Sequence, residues 1–206
     1  VFSSPDQSQI YLAGTSVAEL KSSFGLSEHD LKPYMPPNPE LLKQANVDVH
    51  YLGYYIPWHP QECYYYSVEH GGFEAAPERS AGTYSKYSSI DDKIDDLHYY
   101  TTFIKFGIGR ATYDSSQEIR NGEIDRDEAI SLVRRFDGEY SERFEKENFD
   151  YLSISPKDFP VASKMFEHPE MNREYFDRLT NTFRSPHLWK FEGNQWQLRR
   201  TVCDDA

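Results

Sequence analysis

Lys105–Ile124 reads KFGIGRATYDSSQEIRNGEI, and the reading of its two glycines decides how the middle of the chain folds. Gly107 and Gly109 sit two apart, with Lys105 before them and Arg110 immediately after. Ala111 to Asn121 has helical character and is closed by Gly122. A helix start offers unbonded N–H groups and a partial positive charge, and glycine lets a ligand approach the backbone closely. Arg110 adds a planar fork that holds a phosphate or carboxylate with two parallel hydrogen bonds. The stretch is therefore either a site for a phosphate or a developing oxyanion, or a glycine turn between two packed helices. Within the second helix Arg110, Asp114 and Gln117 share a face, and Asp114 and Glu118 are i,i+4 neighbours.

Upstream, IDDKIDDLHYYTTFIKFG (90–107) places Ile90, Ile94, Leu97, Thr101 and Ile104 at helical spacing, a stripe that predicts burial. Asp91, Asp95, His98, Thr102 and Lys105 fall on the neighbouring face, which is either solvated or the wall of a cleft. Before it runs a long loop, FEAAPERSAGTYSKYSS (73–89), carrying Glu78, Arg79 and Lys86. Loops of that length in compact domains are often functional or disordered. Farther back, DVHYLGYYI (48–56) is rich in β-branched and aromatic residues and predicts a buried strand. PWHP ends it, and PQECYYYSVEHGG predicts a helix with Pro60 in its first turn and Gly71 at its C-cap. A strand feeding a helix is half of a βαβ unit. Ligands of open α/β sheets gather at the carboxyl ends of strands, which would bring Glu62 and Glu69 near a site.

The flanks read more simply. Ser16–Phe24 predicts a short helix ended by Gly25, and ELLKQANV (40–47) another. Asp125, with Glu128 three positions on, opens a helix that ends at Gly138. Ser141–Leu152, Pro156–Phe166 and Glu170–Phe183 predict three more. Trp189–Phe191 and Gln195–Thr201 flank EGN, the pattern of a hairpin.

Composition bounds the function. In 206 residues the net charge is -12 and aromatics make up 16%. That aromatic load is not the composition of a disordered chain. The acidic balance argues against a nucleic-acid surface, which needs a basic stripe. No apolar run approaches membrane-spanning length, so no membrane insertion is expected. Cys63 and Cys203 form no CxxC and are expected to be reduced thiols of a cytoplasmic protein. The sequence opens on Val1 without a strand–glycine–helix unit, and is expected to be part of a longer protein.

Four stretches carry a resemblance: YLGYYIPWHPQECYYYSVEHGGF, GTYSKYSSIDDKIDDLHYYTTFIKFGIGRATYDSSQEIRNGEI, LVRRFDGEY and FRSPHLWK. They closely resemble the N-acetyl sugar amidotransferases of bacterial surface-polysaccharide and nonulosonic-acid biosynthesis, over about Leu12 to Leu198. Cys63 departs from that pattern, which more usually has a different polar residue there. The resemblance implies an α/β fold, the C-terminal part of a PP-loop ATPase domain of the adenine nucleotide α-hydrolase type. That part would be mostly helical, with the strand near 48–56 and the terminal hairpin. The PP-loop portion would occupy 1–122 and a helical C-terminal region 123–206. The family's cysteine-rich metal-binding segment and SGGxDS pyrophosphate loop do not occur in these residues.

The implied reaction converts a sugar acetamido group to acetamidino. ATP with Mg²⁺ adenylylates the acetamido oxygen, and ammonia displaces AMP. The sugar is nucleotide-linked or a nonulosonic acid, and a partner glutaminase with a synthase-like subunit supplies the ammonia. On this reading Lys105 and Arg110 bind phosphate or the oxyanion. Asp114 orients Arg110 or takes an ammonium proton, and His98 joins this catalytic set. Asp91, Asp92, Glu62, Glu69, Gln117 and Arg120 contact substrate. The alternative is a non-catalytic module that docks a partner or recognises the sugar within a larger assembly. A related enzyme acting on tRNA is disfavoured by the acidic charge.

Overall fold

The computed structural model describes residues 11–12, 15–48, 50–153 and 170–202. They divide into two compact units, Val1–Trp58 and His59–Ala206.

The first unit begins with β1 (Tyr11–Leu12) antiparallel to β2 (Thr15–Ser16). Helix α1 (Val17–Phe24) starts where the Ser16 hydroxyl accepts the Glu19 N–H, and stops at Gly25, whose φ is 67°. A capping box of Ser27 and Asp30 opens α2 (Glu28–Leu31), and Asn38 caps α3 (Pro39–Gln44). Each start uses a short polar side chain to satisfy N–H groups that the helix leaves unbonded.

The strand expected over 48–56 is not there. Leu52–Tyr54 forms a single 3₁₀ turn, and Leu52, Tyr54, Tyr55 and Ile56 are exposed. β-propensity expresses how well a side chain fits a pleated, half-buried surface, so it builds a strand only beside a partner strand. The described residues supply none, and the backbone closes local turns instead, Tyr54 N–H to Tyr51 O and Tyr55 N–H to Leu52 O. The half βαβ unit inferred from it falls with it.

The second unit is helical and ends in a hairpin. Helix α4 (Pro60–Gly71) is capped by His59, has Pro60 at its first position and ends at Gly72. Helix α5 (Asp95–Phe106) begins later than the stripe from Ile90 suggests. Asp92 Oδ1 accepts the Ile94 N–H at 2.9 Å and holds that segment in a turn, leaving Ile90 exposed. Leu97 and Ile104 are buried as the stripe requires. Then follow α6 (Arg110–Asn121), α7 (Arg126–Phe136), α8 (Glu145–Leu152) and α9 (Arg173–Asn181). The expected helix Pro156–Phe166 lies outside the described residues.

Leu97 of α5, Phe149 of α8, Met171 just ahead of α9 and Phe176 within it form the core, with Tyr100, Tyr140, Leu152 and Tyr175 packed around them. Helix α6 packs on α7. Strands β3 (Trp189–Glu192) and β4 (Gln195–Leu198) pair antiparallel, Trp189 opposite Leu198 and Phe191 opposite Trp196. Their two-residue turn, Gly193–Asn194, has φ of 58° and 62°, the double positive φ that suits the twist of a hairpin. The hairpin closes on α5, because the Trp189 indole N–H donates to Ile104 O at 2.7 Å. The fold is therefore α/β in content and mainly helical. All strand pairs among the described residues are antiparallel, and the PP-loop reading draws no support from them.

Candidate functional site

The two glycines of KFGIGR do different work. Gly107, at φ 72°, ends α5 by donating to Phe103 O, a left-handed cap that glycine adopts without strain. Gly109 is the N-cap of α6, and the anion at that helix start is the protein's own. The Asp137 carboxylate, just past α7, accepts from Gly109 N (2.9 Å), Thr112 N (3.1 Å) and Thr112 Oγ1 (2.5 Å). A Cβ at position 109 would sit 2.6 Å from Asp137 Oδ1, so only glycine admits the carboxylate.

The next two residues extend this clasp. Gly138, at φ 77°, lies against the Phe103 ring, where a Cβ would collide. Glu139 takes both Arg79 guanidinium nitrogens at 2.5 Å and the Gly82 N–H at 2.9 Å. The Arg79 hydrogen bonds hold the Glu139 carboxyl below its ordinary range. Asp137, Gly138 and Glu139 thus tie α5, α6 and the 79–82 loop to the end of α7.

A polar cluster centres on Arg110. Its Nε donates to Asp114 Oδ1 and its Nη1 to Tyr99 Oη, both at 2.8 Å. Its plane lies over Tyr99 at 4.8 Å and Tyr113 at 5.4 Å. Thr83, fully buried in the loop before α5, donates to Asp114 Oδ2 at 2.6 Å. Tyr99 Oη also meets Ser89 Oγ, and lies 3.5 Å from Asp95 Oδ2. Burial pushes the Asp114 carboxyl up, against the opposing pull of Arg110 and Thr83. One turn on, burial raises Glu118 as well. A carboxyl raised by desolvation beside a fixed guanidinium is a pattern that active sites share with structural ion-pair networks. Among the described residues Arg110 Nη2 has no hydrogen-bond partner, and the side chain is 21% exposed.

Of the residues expected at a site, the structure brings Arg110 and Asp114 into contact. His98 reaches this cluster only as an exposed ring against the edge of Tyr99, 5.8 Å between centroids. Gln117 reaches it through a 3.0 Å bond to Tyr113 Oη. Asp91 and Asp92 are exposed ahead of α5, Asp92 capping its turn. Lys105 is exposed in the last turn of α5, beside its neighbour Phe106. It is about 9 Å along the helix from Tyr99 at 1.5 Å per residue. Arg120 is exposed near the end of α6. Glu62 and Glu69 stand apart from the cluster, lining an open cleft of about 430 Å³ beside α4.

Sequence reasoning missed Asp137, Glu139, Thr83 and Tyr99. The bonds that tie them to Arg79, Arg110, Thr112 and Asp114 span from 11 to 60 residues, beyond any helical or strand period. The Asp-Gly pair after α7 is the one local signal, since it marks a turn that places a carboxylate. Among the described residues no three His, Cys, Asp or Glu side chains converge to hold a metal. No helix among them is long and apolar enough to cross a membrane.

No curated protein matches the chain. A family model described as "LPS biosynthesis protein WbpG-like, C-terminal domain" matches residues 81–202. That range holds the whole Arg110 cluster, the Asp137 clasp apart from Arg79, and the terminal hairpin. The match covers more than half of the sequence, and the chain belongs to the WbpG-like C-terminal domain family of LPS biosynthesis proteins.

Proposed function

We propose that this chain is part of an ATP-dependent amidotransferase that converts a sugar acetamido group to acetamidino during surface-glycan synthesis. Ammonia comes from a partner glutaminase with a synthase-like subunit. ATP adenylylates the acetamido oxygen with release of pyrophosphate, and ammonia then displaces AMP. Mg²⁺ would accompany ATP on its phosphates, a role that asks only one or two carboxylates of the protein.

The observation that carries the reading is the Arg110 guanidinium, fixed on two sides by Asp114 and Tyr99 with Nη2 free of partners among the described residues. Ammonia adds to the activated amide carbon, and as AMP departs negative charge builds on its phosphate oxygen. A preorganised cation stabilises that charge without reorganising at the moment of reaction. Asp114 and Thr83 act on Arg110 as positioning residues. Asp91, Asp92, His98 and Gln117 would meet the substrate along the rim, with Lys105 and Arg120 farther out.

A second reading has its own observation. The start of α6 is filled by Asp137, as it would be in a non-catalytic module that recognises a sugar or docks a partner. One experiment separates the two. The protein in its native reading frame is given acetamido sugar, ATP and ¹⁵N-ammonia, and ¹⁵N-acetamidino sugar is measured by mass spectrometry. On the enzymatic reading Arg110→Lys, which keeps charge and loses the fork, lowers kcat/KM by at least about tenfold, about 1.4 kcal/mol of transition-state stabilisation. Native turnover in both Arg110→Lys and Arg110→Ala makes the cluster structural.

A further inference from the structure

Among the described residues three that are not glycine have a positive φ. Asn46 (52°) and Asn194 (62°) are of a type that tolerates the left-handed region, because their short polar side chains bond locally. Ser89, at 53°, is not of that type. Such strain persists only where the surrounding structure over-determines the backbone, and it gathers at functional sites. The residue before Ser89 is pinned. Ser80 Oγ donates to Ser88 O at 2.8 Å, and Ser85 Oγ donates to Ser88 Oγ at 3.1 Å. Ser80 and Ser85 are buried. The Ala111 N–H donates to Gly82 O at 2.9 Å, which fastens this loop to the helix that carries Arg110.

What the strained backbone presents is a hydroxyl. Ser89 Oγ meets Tyr99 Oη, the oxygen that accepts from Arg110 Nη1 at 2.8 Å. Burial pushes the Tyr99 phenol up, so it keeps its proton at neutral pH. That proton goes to Ser89 Oγ, since Asp95 Oδ2 lies 3.5 Å away, beyond a good O–H···O bond. A phenol that donates is a better acceptor, so the two bonds of the chain Arg110–Tyr99–Ser89 strengthen each other. Glycine at position 89 would remove the strain and the hydroxyl together.

We infer that Ser89 is a positioning residue for Arg110, acting through the Tyr99 hydroxyl. Asp114, itself held by Thr83, fixes the guanidinium at Nε, and Ser89 with Tyr99 fixes it at Nη1. The left-handed backbone is retained at a serine because the hydroxyl is needed there. The inference rests on the reading of Arg110 above, and stability and turnover should therefore part company at position 89.

The test uses the protein in its native reading frame with Ser89→Gly, Tyr99→Phe and the double variant. One readout is turnover to ¹⁵N-acetamidino sugar. The other is hydrogen exchange of the Arg110 Nε–H, whose NMR signal is identified by its loss in Arg110→Lys. Ser89→Gly should melt at or above the native temperature, because relief of the left-handed strain offsets glycine's added chain freedom. It should nevertheless lower kcat/KM and quicken the Arg110 Nε–H exchange, each by at least about fivefold. Tyr99→Phe, which keeps the ring under Arg110, should do the same to both, and adding Ser89→Gly to it should change neither further. Should Ser89→Gly fail to fold, Tyr99→Phe decides by the same two readouts. Unchanged Nε–H exchange in the folded variants overturns the inference. Native turnover in Ser89→Gly beside an impaired Arg110→Lys overturns it alone, and native turnover in Arg110→Lys overturns it together with the reading above.

Discussion

Gly109 and Asp137 form a pair in which each makes sense only with the other. The carboxylate occupies the space a Cβ would need, and in return it satisfies N–H groups that α6 leaves open. Gly109→Ala should cost about 1–3 kcal/mol by overpacking, and Asp137→Ala about 1–2 kcal/mol, the range for a lost helix cap. Because the first change expels the carboxylate that the second removes, the double variant should cost clearly less than the sum. Urea midpoints for the four proteins test this, and strict additivity would show that Asp137 keeps its bonds in Gly109→Ala. Glu139 carries a pH dependence. Its folded pKa is lowered by Arg79, so the unfolded chain binds the proton more tightly. The stability it contributes is complete above its ordinary value of 4.5 and is lost as pH falls through the lower folded value. Asp114 and Glu118, raised by burial, act in the opposite sense: their contribution falls as pH rises from the ordinary carboxylate range through their folded values. Glu139→Gln should lower stability at neutral pH and flatten the acid limb below its ordinary value of 4.5. An acid limb as steep as in the unsubstituted protein would assign it to other carboxylates.

At the scale of elements, helices were legible and the strand before α4 was not. Ser16 and Asp125 open helices where the sequence places them, because a cap is decided within four residues. The hairpin was legible too, since Gly193 and Asn194 state their turn locally. Asp48–Ile56 failed because strand formation depends on a partner elsewhere in the chain. The candidate site divides the same way. Arg110 with Asp114 is an i,i+4 pair visible in the sequence, whereas Thr83 and Asp137 arrive from other elements. The hairpin's attachment to α5 gives an element-scale prediction. Trp189→Phe keeps an aromatic ring against Phe103, 5.4 Å away in the present edge-on contact, but deletes the N–H that bonds Ile104 O. The buried carbonyl loses a partner, at about 1–3 kcal/mol. Amide exchange should then quicken across β3 and β4 more than in α8. Uniform protection in both would mean that the indole N–H does not anchor the hairpin.

For the molecule as a whole, apolar burial is distributed very unevenly. Among the described residues Leu31 is the buried hydrophobic side chain of Val1–Trp58, while Leu97, Ile104, Ala111, Ala129, Ile130, Phe136, Phe149, Met171, Phe176 and Trp189 all belong to His59–Ala206. The family match at 81–202 lies inside that second unit. Folding free energy is a small difference between burial and conformational entropy. A unit whose described residues bury one apolar side chain has little to offset the ordering of its backbone, whereas one with a shared core and a cross-tied clasp has more. A fragment comprising His59–Ala206 should therefore be helical by circular dichroism and unfold cooperatively, with matching midpoints by fluorescence and ellipticity. It should keep protected amides in α5, α8 and α9, which carry its core. A fragment comprising Val1–Trp58 should show neither a cooperative transition nor protected amides. If His59–Ala206 is unfolded on its own, its core is not self-sufficient and the division at Trp58 is not a boundary of stability. If instead Val1–Trp58 folds cooperatively alone, burial among the described residues is not what stabilises it.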